Sequence, residues 1–269
     1  MSVGRANLKA MELTASQEFA SRLEYLPEIG STNTYLLTQS QNSADWPDFS
    51  VVVTDNQTAG RGRLDRVWEA RAGQALAVSV LLRPSSFDIS SFGWLPLAAG
   101  LAMRNAVASL LDDAEVSVKW PNDVLVNGEK ISGILAEVLP DGTAVVIGAG
   151  LNLSQSKDEL PIPTATSLQL HGVTGFQLDD ILVRYLAGLK RIYDELLDLA
   201  GEVENSELKQ ELLSVSSTIG SEVSVSLPDG SSFEGKAIGL DPQGRLLIAM
   251  DNPTEIRAVA AGDIQHLRQ

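Results

Sequence analysis

The sequence predicts an α+β fold, on three observations. Residues 116–153 hold four apolar segments separated only by turn signals, with no room for helices between them. Residues 92–111 and 181–197 repeat apolar side chains at helical spacing. From about residue 216 the chain changes to short alternating runs joined by tight turns.

Along the chain, residues 1–23 read as a polar leader. Ser31 and Thr32 are candidate N-caps of a short helix ending near Gln39, because their oxygens can accept from the free amides of its first turn. Tyr35, Leu36 and Leu37 then face inward. SVVVTD (50–55) and ALAVSVLLRP (75–84) read as strands, being β-branched or apolar between turn residues. Leu95, Leu97, Ala98, Leu101, Met103, Val107, Leu110 and Leu111 make 92–111 a mostly buried helix. VSVKW (116–120), DVLVN (123–127), GILAEVL (133–139) and AVVIGAGLNL (144–153) are strands, broken by Pro121-Asn122, Asn127-Gly128 and Asp141-Gly142. Residues 154–166, with two prolines and little apolar content, are expected to form a mobile loop. Ile181, Leu182, Tyr185, Leu186, Leu189, Ile192, Tyr193, Leu196 and Leu197 follow one face of a long helix. Gly201 interrupts it, and a second amphipathic stretch ends near Leu213. EVSVSL alternates strictly and PDG and DPQG are hairpin turns, so residues 216–269 read as a small β-barrel behind a larger domain spanning 24–215.

Composition bounds the function. Of 269 residues, 44% are hydrophobic and 20% charged, a globular mixture. A net charge of −15 argues against a broad nucleic-acid or anionic-membrane surface, so any anion site is local. With no cysteine and two histidines, His171 and His266, thiolate chemistry, Cys-based zinc sites and a Ser-His-Asp triad have nothing to stand on. The lack of cysteine, of a secretory apolar region and of any apolar run of about 18 residues points to a cytoplasmic protein.

Two glycine motifs lead nowhere. GSSFEGKA (230–237) spaces its residues like a phosphate loop, but Ala237 replaces the magnesium-binding hydroxyl and no helix follows. Gly148-Ala149-Gly150 begins like a dinucleotide fingerprint, but Leu153 stands at the third glycine and again no helix follows. Those two glycines still let another group approach the strand, with Asn152 just beyond as a neutral donor and acceptor.

The chemistry concentrates in two stretches. In residues 54–70, Ala59, Gly60 and Gly62 permit a tight backbone, and Arg61, Arg63 and Arg66 supply planar donors suited to phosphate. In VKWPNDVLVNGEKISGILAE (118–137), Lys119, Asn122 and Asp123 flank a proline turn, and Lys130 precedes Gly133 beyond the Asn127-Gly128 turn. If the segments either side of that turn pair, Lys119 and Lys130 can face one cavity and bind a carboxylate beside a phosphate.

Five motifs, S-T-N (31–33), Q-x-x-G-R-G-R-x-x-R-x-W (57–68), K-W-P-N-D-V (119–124), K-I-S-G-I-L-x-E (130–137) and G-A-G-L-N-L (148–153), occur in the order found in the biotin protein ligases, which this chain resembles from about residue 24 to its end. The resemblance implies a class II aminoacyl-tRNA-synthetase-like catalytic domain with a mixed sheet, then an SH3-like barrel. It implies ATP-dependent attachment of biotin to a lysine of a biotin carboxyl carrier domain, through biotinyl-5′-AMP, with magnesium. A lipoate or octanoate ligase of the same fold is the nearest alternative, and a noncatalytic nucleic-acid-binding module a more distant one. The short stretch before the motifs resembles the monofunctional type, with no DNA to bind, and leaves homodimerisation open.

Residue by residue, the resemblance makes Lys130 the first catalytic residue, touching both the biotin carboxylate and the α-phosphate, and Arg63 the second, retaining the adenylate. It assigns Ser31, Thr32, Asn33, Gln57, Gly60, Arg61, Gly133, Leu135, Gly148 and Gly150 to the biotin pocket. It assigns Arg61, Arg63, Arg66, Trp68, Lys119, Asn122, Asp123, Lys130, Asn152 and Arg268 to ATP, and leaves the metal ligands unknown. Two departures stand out: Asp65 where a glycine is common, and Ser132 where the family has Gly or Ala, which is expected to narrow the biotin pocket.

Overall fold

The computed structural model describes residues 13–63, 66–68, 71–86, 88–227, 229–251, 255–260 and 262–267. The strands of the larger unit are β1 (Arg22–Tyr25), β2 (Ser50–Thr54), β3 (Gly60–Arg61), β4 (Val67–Trp68), β5 (Ala75–Leu82), β6 (Val116–Lys119), β7 (Asp123–Val126), β8 (Glu129–Val138) and β9 (Val145–Asn152). Its helices are α1 (Thr32–Gln39), α2 (Trp94–Ala108), α3 (Leu178–Asp198) and α4 (Glu207–Ser214). Seven strands form one sheet in the order β1-β2-β5-β9-β8-β7-β6, and β3 pairs with β4 outside it. The sheet is mixed because β1 and β2 run parallel while the other pairs are antiparallel.

Side-chain alternation assigns the two faces of the sheet. Leu76, Val78, Val80 and Leu82 of β5 point into the main core with α2 and α3, while Leu81 joins a second cluster with Leu36 and Trp46. Because both faces are covered there, β2 and β5 are buried at every position and read as continuous apolar runs. Between α2 and α3, the position of a Cβ on Gly188 lies 3.6 Å from the Ala102 Cβ, so small residues set the close approach.

The leader contributes more than its polarity suggests. Ser16 is fully buried, and the Ala15 and Ser16 amides donate to the Asp179 carboxylate in the first turn of α3, each at 3.0 Å. An acid at a helix start is a ready acceptor, which local composition does not disclose. Strand β1 also begins inside the stretch read as leader.

The C-terminal strands are β10 (Glu222–Ser226), β11 (Ser232–Leu240), β12 (Leu246–Ala249), β13 (Ile256–Val259) and β14 (Asp263–His266), an antiparallel sheet ordered β13-β12-β11-β10-β14. It rests on the start of α2: the Trp94 indole donates to the Pro242 carbonyl at 2.8 Å. Gly93 has no room for a side chain, since a Cβ would collide with the Gln243 carbonyl. The Val118 amide donates to the Val215 carbonyl at 2.9 Å, so the connecting segment covers the edge strand β6.

His266 lies at this junction, 3.4 Å from the Thr218 hydroxyl. Partial desolvation, then the nearby Lys119 ammonium, push its imidazole below its usual 6.5. A depressed value means that the fold favours neutral imidazole, so this contribution is complete above 6.5 and is lost as pH falls through the lowered value. His266→Gln is expected to flatten the decline of the urea midpoint just below pH 6.5, before carboxylates titrate. An unchanged slope in the variant contradicts this.

Candidate active site

The site begins as one row of cross-strand neighbours. Lys119 pairs with Asp123, Asp123 with Gly133, Gly133 with Gly150 and Gly150 with Ala77. Paired positions share a face, and this is the face turned away from α2 and α3. A bulge in the β7–β8 register places Ile131 opposite no residue, which brings Lys130 round to the same side. Lys130 Nζ lies 3.2 Å from where a Gly133 Cβ would stand and 2.6 Å from Asp123 Oδ1. Lys130 and Asp123 therefore meet over Gly133, and Lys119 stands on the same face of the sheet.

The main chain of Lys130 is held on both sides. Its amide donates to the Thr164 carbonyl and its carbonyl accepts from the Thr166 amide, each at 2.8 Å. This overturns the expectation of a mobile loop at 154–166: Gln155, Leu160, Ala165 and Thr166 are buried there. Side chains of Gln155, Ser156, Lys157, Glu159 and Thr166 bond to other protein groups. Glu159 accepts from the Ser156 amide, the Gln74 amide and the Ser156 hydroxyl, with Arg71 beside it, holding its carboxyl down at about 2. Asn152 is buried, donating to the Thr166 carbonyl at 2.8 Å and accepting from Gln155 at 3.2 Å. As placed, its amide braces this loop.

At the other end of the row the predicted small polar residues form one network. Ser31 caps α1, accepting from the Thr34 amide. The Thr32 amide and hydroxyl donate to Gln57 Oε1 at 3.0 and 3.2 Å. The Ser79 hydroxyl stands 2.7 Å from Thr32 Oγ1 and 2.6 Å from Asn33 Oδ1. Asn33 Nδ2 donates to Glu137 Oε2 at 2.8 Å and to the Leu135 carbonyl at 3.3 Å, which fixes the orientation of the amide.

Each glycine assigned to the pocket has an occupant in the space of its missing side chain. A Cβ on Gly148 would collide with the Asn33 amide, one on Gly150 with the Trp68 ring and one on Gly60 with Gln57 and the Trp68 carbonyl. Leu135, opposite Gly148, is half-buried on the same face.

The arginines diverge. Arg61 Nη2 donates to Glu137 Oε1 at 2.8 Å and to Thr34 Oγ1 at 3.2 Å. Arg63 donates to Asn122 Oδ1 and to the Gly262 carbonyl, both at 3.2 Å, and thus links the loop to the C-terminal sheet. Asn122 in turn donates to the Ile134 carbonyl at 2.8 Å. Arg66 is exposed and Trp68 half-buried. Asp65 and Arg268 lie outside the described residues.

Ser132 does not narrow the pocket. It pairs with Leu151 of the main core, one residue out of phase with Gly133, and is fully buried on the α2 side. Its hydroxyl has no partner among the described residues. Two further residues, Glu137 and Ser79, belong to the network. Glu137 shares the parity of Gly133 and Leu135, so strand alternation places it on the site face; Ser79, a polar residue within a wholly apolar run, was the available sign for the other.

Among the described residues no group of three or more His, Asp or Glu side chains could hold a metal, and no helix is long and apolar enough to cross a membrane. Lys130 stands over Gly133, with neutral donors and acceptors packed against the other glycine positions at one end: groups suited to an anionic molecule with a polar, uncharged head.

Residues 25–152 match the model of the biotin/lipoate A/B protein ligase family, which alone spans both acyl types. Residues 218–267 match the biotin protein ligase C-terminal domain. Over 92% of its length the chain is 41% identical to the biotin–[acetyl-CoA-carboxylase] ligase of Mycobacterium tuberculosis, covering 90% of that protein. The chain belongs to the biotin protein ligase family. It is also 29% identical to the bifunctional ligase/repressor BirA of Bacillus spizizenii, over 93% of this chain and 75% of that one. Among solved structures, the biotin protein ligase of Aquifex aeolicus in complex with biotin and ATP superposes with a TM-score of 0.74 at 28% identity, covering 93% of this chain and all of that one. Membership disfavours the lipoate alternative and accounts for a mixed catalytic sheet followed by a separate antiparallel one.

Proposed function

We infer that this biotin protein ligase attaches biotin to a lysine of a biotin carboxyl carrier domain, using ATP. The observation that carries the inference is the row Lys119–Asp123–Gly133–Gly150, with Lys130 above it, running into the neutral network of Thr32, Asn33 and Gln57. In the first step a carboxylate oxygen of biotin attacks the α-phosphorus and pyrophosphate leaves. In the second the carrier amine attacks the acyl carbon, forming the amide, and AMP leaves.

Bringing two anions together requires fixed positive charge where negative charge accumulates. Lys130 serves the carboxylate and the α-phosphate; Lys119, Arg63 and Arg66 serve the phosphates. Asp123 holds the Lys130 ammonium over Gly133, and Asn122 holds the Arg63 guanidinium, so both turn residues act through the cations they touch. Ser31, Thr32, Asn33, Gln57 and Leu135 line the biotin end, and Gly60, Gly148 and Gly150 give it depth. Trp68 covers the floor, and Asn152 borders the nucleotide side. Magnesium would enter with ATP, held mainly by phosphate oxygens, the usual mode for this ion; Asp123 is the carboxylate of the row placed to share it. The catalytic unit ends near residue 215.

The test is pyrophosphate release with magnesium-ATP and either biotin or lipoate, followed by labelling of a carrier domain. Release with biotin and transfer to one lysine are expected; release with lipoate alone overturns the assignment. A second prediction concerns the reactive intermediate. Arg63 closes the site from the loop side, so Arg63→Gly is expected to free biotinyl-5′-AMP into solution and label lysines of bystander proteins. Retention of the adenylate as tight as in the wild type would remove Arg63 from that role.

A further inference from the structure

We propose that Glu137 is a positioning residue that joins the biotin end of the site to the arginine loop and thereby sets biotin affinity. The proposal rests on the ligase reading. One carboxylate ties three elements: Oε2 accepts from Asn33 on α1, and Oε1 accepts from Arg61 on β3, while Glu137 itself stands on β8. Arg61 closes the circuit by donating to Thr34, next to Asn33.

Asn33 is 4% exposed and its amide fills the space above Gly148, so its orientation shapes the pocket. Ser79 holds the oxygen end; Glu137 at 2.8 Å and the longer Leu135 carbonyl contact at 3.3 Å hold the nitrogen end. Without the carboxylate, the short anchor of that amide is gone and Arg61 loses its ion pair in the same step. An acid in a site for two anions is repulsive unless neutralised locally, and the Arg61 pairing does that. Arg61 thus anchors the first residues of the loop, and the phosphate-binding role falls to Lys119, Lys130, Arg63 and Arg66.

The experiment measures biotin binding by calorimetry without ATP, with KM for ATP and kcat taken separately, for Glu137→Ala, Glu137→Gln, Arg61→Ala and the double variant. Glu137→Ala is expected to weaken biotin at least roughly tenfold, equal to about 1.4 kcal/mol, with KM for ATP moved less than about twofold. Glu137→Gln keeps an acceptor for Asn33 and is expected to restore part of the affinity, a rescue that a purely structural role would not single out. The double variant is expected to bind no worse than Glu137→Ala, because both changes break one linkage. Biotin affinity unchanged in Glu137→Ala, additive losses, or an equal shift in KM for ATP overturns the proposal. If Glu137→Ala does not fold, Glu137→Gln with biotin affinity equal to wild type has the same force. Wild-type protein that binds no biotin overturns the ligase reading itself.

Discussion

Lys130→Ala is expected to reduce biotin-dependent pyrophosphate release by at least about 10³-fold in kcat/KM, the upper range for losing one preorganised charge at a reacting centre. Two effects act together. The ammonium that meets both incoming anions is gone, and Asp123, its partner at 2.6 Å, is left as an uncompensated carboxylate facing them. The fold should survive, because the bonds holding position 130 to Thr164 and Thr166 are made by the main chain. Lys130→Arg is expected to rescue little: a planar fork does not reproduce the compact ammonium that lies 3.2 Å from where a Gly133 Cβ would stand. Steady-state pyrophosphate release, with a thermal melt of each variant, checks this. Activity of Lys130→Ala within about tenfold of wild type would place the charge stabilisation elsewhere.

Gly150→Val is expected to abolish biotin binding while leaving the melting temperature nearly unchanged. Gly150 stands in the row between Gly133 and Ala77, and its missing side chain is the space in which the Trp68 ring lies. A valine expels that ring and puts two methyl groups on the floor of the pocket. The backbone has no objection, since β-branched residues suit strands and the position faces the site, not the core. Biotin affinity should fall by more than about 100-fold by calorimetry, about 2.8 kcal/mol. A variant that binds biotin normally would show that the glycine row is not the ligand floor; one that unfolds would show that Trp68 packing there supports the fold.

The helix cap at Ser31, the buried strands 50–54 and 75–82, the helices at 94–108 and 178–198 and the turns at Asn127-Gly128 and 241–244 were all legible in the chain, because each depends on contacts within a few residues. So were the charged and glycine-rich motifs, whose residue types suit a carboxylate beside a phosphate. Three things were not legible. The bulge at Ile131 turns Lys130 onto the face of Gly133, where the ordinary alternation of a strand would have sent it to the opposite face with Ser132. Polar residues 154–166 looked mobile because their partners, among them the main chain of Lys130 and the side chains of Arg71 and Gln74, are remote in sequence. Glu137 looked like one more strand acid until its partners on α1 and β3 stood beside it.

Local periodicity and turn chemistry thus suffice for the longer elements and for the charged and glycine-rich motifs, but not for β1, β3 and β4 or for Glu137 and Ser79. Register, strand order and face are properties of pairing between segments, from neighbouring strands such as those of Lys119 and Asp123 to the distant pair Ala77 and Gly150. Those pairings decide which cation meets which anion, since a shift of one residue moves a side chain to the opposite side of the sheet.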